Sequence, residues 1–298
     1  MKKIFMAGVG GMLGEAFYQA FSEEYQVLAT DKDTNAQWLS HLDFRDSDRY
    51  AAMVTEFDPD YLFHIGAHTS LEYCESNEAD AYLTNTLAVE KAVNIANQLD
   101  IPLLYVSTAG IFDGSKDYFD DWDQPNPLGV YARSKFLGER RVVEGAKRYL
   151  VCRAGWMMGG GLTKDKKFIA KLMKQIRSGA DTIYIVDDKD GTPTYTVDFA
   201  QNCKSLIEAE AWGLYNLVCG GQTSRLEVAR ELLSLIDRDD IVVEEVSSDY
   251  FAEEYYAPRP PNERLMNLKL NLLGLNEMSD WRDALRRYVE TGSLTSPR

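Results

Sequence analysis

The sequence predicts an α/β fold, a doubly wound parallel sheet with a smaller C-terminal lobe, and three observations carry that prediction. Short apolar runs alternate with helical patterns through the first half of the chain, as successive βαβ units require. A glycine-rich turn joins the first apolar run to the first helical pattern. Acids and hydroxyls stand at the ends of later runs, where an open parallel sheet takes its ligands. Together they make the fold Rossmann-like.

Residues 3–7 are an apolar run ended by Gly8, residues 13–21 are helical in pattern, and residues 25–29 are apolar again before Asp31. In the connecting turn, Gly8-Val9-Gly10-Gly11-Met12-Leu13-Gly14, the residues Gly8, Gly11 and Gly14 are three apart; the familiar Gly-x-Gly-x-x-Gly fails because residue 13 is leucine. Glycines let the backbone turn tightly and approach a pyrophosphate, whose charge meets the helix N-terminus. Gly8, Gly10, Gly11, Met12, Leu13 and Gly14 are therefore candidate cofactor-binding residues, a plain glycine-rich hairpin being the other reading. Asp31, ending the second strand, is placed to accept hydrogen bonds from both adenosine ribose hydroxyls and to repel a 2'-phosphate. That slightly favours NAD(H) over NADP(H), with Lys32 beside it able to tolerate a phosphate. Residues 39–42 suggest a third strand leading into Asp43-Phe44, where the carboxylate either meets an adenine amino group or caps a helix.

Residues 61–65 form a fourth strand running into Gly66-Ala67-His68, and a long helical stretch covers residues 78–99. His64 sits inside an apolar strand, and neither it nor His68 has a third ligand at metal spacing, so no metal is expected. The fifth strand, residues 103–106, delivers Ser107 and Thr108 at its C-terminal end. After Pro125 and Pro127 close a loop, residues 128–139 read as the first turns of a helix, with Tyr131 and Lys135 at i and i+4 on one face. An unperturbed phenol titrates near pH ~10, and an ammonium ~5 Å away at an effective dielectric of ~20 is worth ~3 kcal/mol, or roughly two pH units. Lysine alone is thus expected to bring Tyr131 toward neutrality, although the spacing by itself also arises by chance on amphipathic helices.

A sixth strand at residues 149–152 leads through Arg153 to Trp156, and Gly159-Gly160-Gly161 reads as a hinge. Beyond it, residues 168–176, 183–186, 197–207, 214–218 and 226–236 alternate helix and short strand. A proline-rich loop at residues 257–262 precedes two last helical pieces, of which residues 281–289 are the clearer. The expected division is a dinucleotide-binding domain over residues 1–156, with 196–219 returning to it, and a substrate lobe over 157–195 and 220–298.

Composition narrows the function. The 298 residues, 45% hydrophobic and 11% aromatic, make a globular chain. A net charge of −15 repels nucleic acid and anionic membranes, so an anionic substrate needs local cations. The four cysteines, Cys74, Cys152, Cys203 and Cys219, show no Cys-x-x-Cys spacing, which points to a reducing cytoplasm and against disulfides or zinc. Lys2 and Lys3 before a short apolar run imitate a signal peptide, but the run stops at Gly8.

A glycine turn after strand one, an acid after strand two, a hydroxyl after strand five and Tyr-x-x-x-Lys on the next helix form a specific set. With Gly66-Ala67-His68-Thr69, Ile111-Phe112-Asp113-Gly114, Asn126-Pro127-Leu128, Ser134, Gly138-Glu139, Arg153-x-x-Trp156, Gly191-x-Pro193-Thr194 and Arg259-Pro260-x-Asn262, the chain resembles the extended short-chain dehydrogenase/reductases, and within them the dTDP-4-dehydrorhamnose reductase family. The resemblance implies reduction of a nucleotide-activated 4-keto, 6-deoxy sugar by NAD(P)H. It makes Tyr131 the acid, Thr108 the second hydrogen bond to the ketone oxygen and Lys135 the holder of the nicotinamide ribose. It places Gly66, Ala67 and His68 on the cofactor, Thr69, Ala109, Trp156, Lys167, Arg259 and Asn262 toward the sugar nucleotide, and suggests a homodimer. Trp156 as a core residue and Arg259 as a surface ion-pair residue are the bland alternatives.

The chain also departs from the family. Ala109 and Gly110 stand where Asp-Tyr is usual, and Lys167, near Lys164 and Lys166, stands where asparagine is common. The lysines are a candidate diphosphate attractor or simply a solvated helix start. A nucleotide-sugar epimerase and a non-catalytic, cofactor-binding regulatory subunit remain the alternative functions.

Overall fold

A computed structural model describes residues 1–292 and Leu294; residues 293 and 295–298, which the sequence assigns to the end of the C-terminal lobe, lie outside the described residues. The first half runs β1 (Lys3–Ala7), α1 (Gly14–Phe21), β2 (Gln26–Asp31), β3 (Leu39–His41), α2 (Ser47–Phe57), β4 (Tyr61–His64), α3 (Leu71–Ser76), α4 (Glu78–Tyr82), a π-helical turn (Leu83–Leu87), α5 (Ala88–Leu99), β5 (Leu103–Thr108), α6 (Val130–Gly145) and β6 (Tyr149–Ala154). The second half continues with β7 (Trp156–Met158), α7 (Gly161–Lys164), α8 (Phe168–Arg177), β8 (Thr182–Val186), β9 (Asp190–Gly191), β10 (Pro193–Tyr195), α9 (Thr196–Glu208) and β11 (Gly213–Asn216). It ends with β12 (Thr223–Ser224), α10 (Arg225–Leu235), β13 (Val242–Val246), β14 (Asn262–Glu263), α11 (Leu268–Leu273) and α12 (Trp281–Glu290).

Seven strands form one sheet in the order β11-β6-β5-β4-β1-β2-β3, parallel throughout. The order reverses between β1 and β4, which opens a crevice at their C-terminal ends. Both faces of the sheet are covered, which is why its strands read as continuous apolar runs. Ile4 and Met6 pack with Phe17 of α1 and Phe199 of α9 on one face, while Phe5 and Ala7 pack with Tyr50 of α2 and Val89 of α5 on the other. A third apolar cluster joins α8, α10 and α12 over the parallel β8–β13 pair. Asp198 of α9, a helix packed on the sheet, holds α12 by accepting two hydrogen bonds from Arg287 at 2.8 and 2.5 Å.

Two differences from the sequence expectation bear on the site. The stretch from 78 to 99 is not one regular helix, because the π turn adds a residue that turns Thr84, Asn85 and Thr86 inward. The helix bearing Tyr131 starts at Val130 rather than Leu128; with no side-chain cap of its own, it presents the Val130 N–H to Glu75 Oε2 at 2.9 Å. Farther along α6, Glu139 pairs with Arg153 of β6, both side chains almost wholly buried, with Nη2 to Oε1 at 2.6 Å and Nε to Oε2 at 3.0 Å. Arg153→Leu should cost about 3–5 kcal/mol in urea unfolding by stranding the Glu139 charge, whereas Arg153→Leu with Glu139→Met should recover most of it.

Candidate active site

β5 and α6 bring the reacting groups together. Thr108 ends β5, and its Oγ1 accepts the Gly110 N–H at 3.2 Å, which leaves its own proton free to donate. Tyr131 shares a hydrogen bond with Thr108. Lys135 lies one turn below, its ammonium on the Val106 carbonyl at 2.8 Å and over the Tyr105 ring at 4.2 Å, with donors to spare. Such an array can polarise and protonate a carbonyl oxygen.

The electrostatics correct the expectation that lysine brings the tyrosine toward neutrality. Burial pushes the Tyr131 phenol up to about 12, against the Thr108 hydrogen bond, which pulls down, and with Glu263 adding to the rise. Burial also brings Lys135 down to about 7, against the attraction of Glu139. Desolvation is the largest cause for both groups, and Tyr131 therefore holds its proton across the neutral range.

The crevice beside them, about 340 Å³, is lined by Gly8, Gly10, Gly11, Asp31, Asp43, Phe44, Gly66, Ala67 and His68. Met12, Leu13 and Gly14 do not line it: Leu13 is buried in the core below, and a β-carbon on Gly14 would stand 1.6 Å from the Val9 carbonyl oxygen. The loop lies against its neighbours, since a β-carbon on Gly8 would meet the Gly66 Cα at 2.2 Å, whereas one on Gly11 would meet nothing within 4 Å. This cradle and the unpartnered hydroxyl of Thr84 on its wall suit a dinucleotide. Asp31 Oδ2 accepts the Gly10 N–H at 2.7 Å and Oδ1 the Asp33 N–H at 2.9 Å. Asp43 is gripped by Arg45, which holds its carboxyl below the usual range; it does not cap α2, whose N-terminus is capped by Asp46. His64 is a core residue 3.1 Å from the Tyr50 hydroxyl, and His68 sits 2.8 Å from Asp80. Arg45 and Thr84 also line the crevice, and no local spacing marks them; Lys32, expected only to tolerate a phosphate, and Lys164 and Lys166, expected as a diphosphate attractor or a solvated helix start, line it as well.

 Lys164 and Lys166 reach the cleft because the chain folds back over the glycine turn, where a β-carbon on Gly160 would stand 3.1 Å from the Met12 Cα.

Lys167 donates to Thr69, to the carbonyl at 2.8 Å and Oγ1 at 3.1 Å. Its ammonium is lowered by burial and by Arg225, Lys171 and Arg259 nearby, so these side chains form a local cationic group in an acidic protein. Arg259 is braced by Glu72 at 2.6 Å, and Arg225 lies over the Trp156 ring at 3.7 Å. Trp156 Nε1 donates to Glu263 Oε2 at 2.7 Å. Ala109 and Asn262 stand apart from this group. Ala109 is packed with Ile111, Phe112 and Phe119, and the Asn262 amide donates to the carbonyls of Lys116 and Asp117 at 2.6 and 2.9 Å. The sequence reading passed over Arg225 and Glu263, which no local spacing marks.

Comparison with known proteins gives the chain a family. The sequence family described as the RmlD substrate binding domain matches residues 1–293. The chain belongs to that family. Among RmlD-type relatives, the dTDP-4-dehydrorhamnose reductase of Mycobacterium tuberculosis is 31% identical over 95% of this chain and 91% of its own length. The crystal structure of dTDP-4-dehydrorhamnose reductase from Yersinia enterocolitica is 30% identical, with a TM-score of 0.88 over 98% of this chain and 99% of that one. The enzyme of the same name from Bacillus anthracis, in complex with NADP, is 25% identical, with a TM-score of 0.89 over 97% and 99% of the two chains.

Two variants separate folding from cofactor binding in the RmlD-type glycine turn. Gly11→Ala should melt with the parent but bind NADH at least about tenfold more weakly by calorimetry, its methyl group standing in the cleft, whereas Gly14→Ala should lose more than about 3 kcal/mol of stability. Lys135 gives a third prediction. Its native value, about 7, lies below its ordinary 10.5, so between these values the unfolded chain binds more protons and stability rises with pH. Lys135→Met should therefore abolish activity yet stabilise the ligand-free protein at pH ~6 by about 2–3 kcal/mol, with a smaller gain at pH ~9, both read by urea unfolding.

Proposed function

We propose that this chain reduces the ketone of a nucleotide-activated 4-keto, 6-deoxy sugar with a nicotinamide cofactor, as an NAD(P)-dependent oxidoreductase of the short-chain kind. The observation that carries the reading is the meeting of the Thr108 and Tyr131 hydroxyls at the end of β5, beside the crevice and above the Lys135 ammonium. The names of its RmlD-family relatives supply the substrate class.

When bound, the nicotinamide supplies the hydride that reaches the ketone carbon. Tyr131 gives its proton to the ketone oxygen as negative charge gathers there, and Thr108, its lone pair engaged by the Gly110 N–H, donates the second hydrogen bond. Lys135 keeps donors for the nicotinamide ribose. On the adenosine side, Asp31 favours NADH, while Lys32, Lys164 and Lys166 allow NADPH. Lys167, Arg225 and Arg259 receive the diphosphate, with Thr69 and Trp156 beside them.

The division into a dinucleotide-binding domain and a substrate lobe is part of this reading, as are a homodimer and a reducing cytoplasm. The net charge of −15 and the free, buried cysteines are consistent with such a setting and with no nucleic-acid partner. Among the described residues no helix is long and apolar enough to cross a membrane.

The test is a coupled assay with enzymatically generated 4-keto sugars on dTDP, GDP, UDP and CDP carriers, each with NADH and NADPH. Oxidation of the reduced cofactor only when a keto sugar is present is the expected result, and Tyr131→Phe should lower kcat by at least about 100-fold with the cofactor KM nearly unchanged. Conversion without net cofactor oxidation would instead mark an epimerase.

A further inference from the structure

We infer that Glu263 sets the sugar specificity of this site, its carboxylate receiving the hydroxyl on the ring carbon next to the reacting carbonyl. The inference rests on the reading of the site as a keto-sugar reductase and names a residue that reading does not use.

Glu263 is held from two sides. β14 pairs it with Gly191 of β9, and a β-carbon on Gly191 would stand 2.3 Å from Trp156 Cε2, so the indole lies against the strand. From there its Nε1–H fixes Glu263 Oε2 at 2.7 Å. The other oxygen faces the reacting groups. A β-carbon on Gly110 would stand 3.3 Å from Glu263 Oε1, 3.5 Å from Thr108 Oγ1 and 3.8 Å from Tyr131 Cε1, so these three border one small space that the glycine leaves open. Among the described residues no protein hydrogen-bond donor meets Oε1; the Arg225 guanidinium sits 3.7 Å from the centre of the Trp156 ring and attracts the carboxylate from there without a hydrogen bond to it.

An ionised carboxylate only accepts hydrogen bonds, and in this space it stands beside the groups that address the ketone oxygen. What it can accept is a hydroxyl one carbon away. In a 6-deoxy 4-keto sugar that is the C3 hydroxyl, because the C5 side carries only a methyl group. The same charge disfavours an acidic sugar, and it helps keep the Tyr131 phenol protonated. A site built to hold a hydroxyl rejects an analogue lacking it, since its own polar group is then left unpaired.

The experiment compares the full-length parent with Glu263→Gln and Glu263→Ala, each checked for folding by its melt. Calorimetry measures binding of dTDP-glucose and its 3-deoxy analogue to protein saturated with NAD. The parent should prefer the hydroxylated ligand by at least about 100-fold, and Glu263→Ala should reduce that preference below about tenfold with cofactor affinity unchanged. Glu263→Gln, whose amide oxygen still accepts, should fall between them and serves if the alanine variant does not fold. In the alcohol-oxidation direction, Glu263→Gln should also move the alkaline rise in rate to lower pH, because a nearby negative charge no longer opposes ionisation of Tyr131. A preference retained in the variants, or affinity lost equally for both ligands so that the preference stays as in the parent, overturns the inference even if keto-sugar reduction proceeds. A parent that reduces no keto sugar but shows a hydroxyl preference that depends on Glu263 overturns the reductase reading instead.

Discussion

The geometry of the site depends on Asn85, the residue that the π turn presses into the gap between the sheet and α6. Its Oδ1 takes the His68 N–H at 2.8 Å, and its Nδ2 donates to the His68 carbonyl and to Ser134 Oγ, both at 3.0 Å. One side chain thus ties a loop of the cofactor crevice to the helix bearing Tyr131 and Lys135. The contact is close enough to exclude a side chain opposite: a β-carbon on Gly138 would stand 2.3 Å from the Asn85 carbonyl oxygen and 2.7 Å from the Tyr105 hydroxyl. Thr86 adds a bond to the Ser134 carbonyl at 2.8 Å. A regular helix would turn some of these polar groups elsewhere, so the π turn has a structural reason to persist.

Charge is managed locally in a strongly acidic chain. The surface carries the excess of acid, yet cations gather on the crevice wall, at Lys32, Arg45, Lys164 and Lys166, and around Lys167. Several are kept in place by carboxylates, as Glu72 holds Arg259 and Asp43, itself on the crevice wall, holds Arg45. At the chemistry itself burial decides, being the largest cause both of the raised Tyr131 value and of the lowered Lys135 value. The protonated phenol that results is the form a reductase needs before its proton is transferred.

Much of this was legible in the sequence, and the residues that were not share a reason. The strands were visible because a sheet covered on both faces demands unbroken apolar runs, and the glycine turn because close backbone approach leaves few other choices of residue. Thr108, Tyr131 and Lys135 could be named because short spacings on a strand end and a helix face carry their geometry. The 78–99 stretch was read as one helix because a π turn changes hydrogen bonding without changing composition. Asn262 belongs to a motif legible in sequence, yet its amide is engaged by the carbonyls of Lys116 and Asp117, a partnership with no local signal.

The sequence by itself determined the doubly wound sheet, the cofactor turn and the order in which the reacting side chains arrive, since each is written in patterns a few residues long. Tertiary structure alone decided which charges dominate and which distant side chains meet. Trp156 and Glu263 meet across a separation of 107 residues, and the pKa values of Tyr131 and Lys135 follow from how much water the packed chain removes. Desolvation is a property of the assembled interior, and no spacing along the chain encodes it.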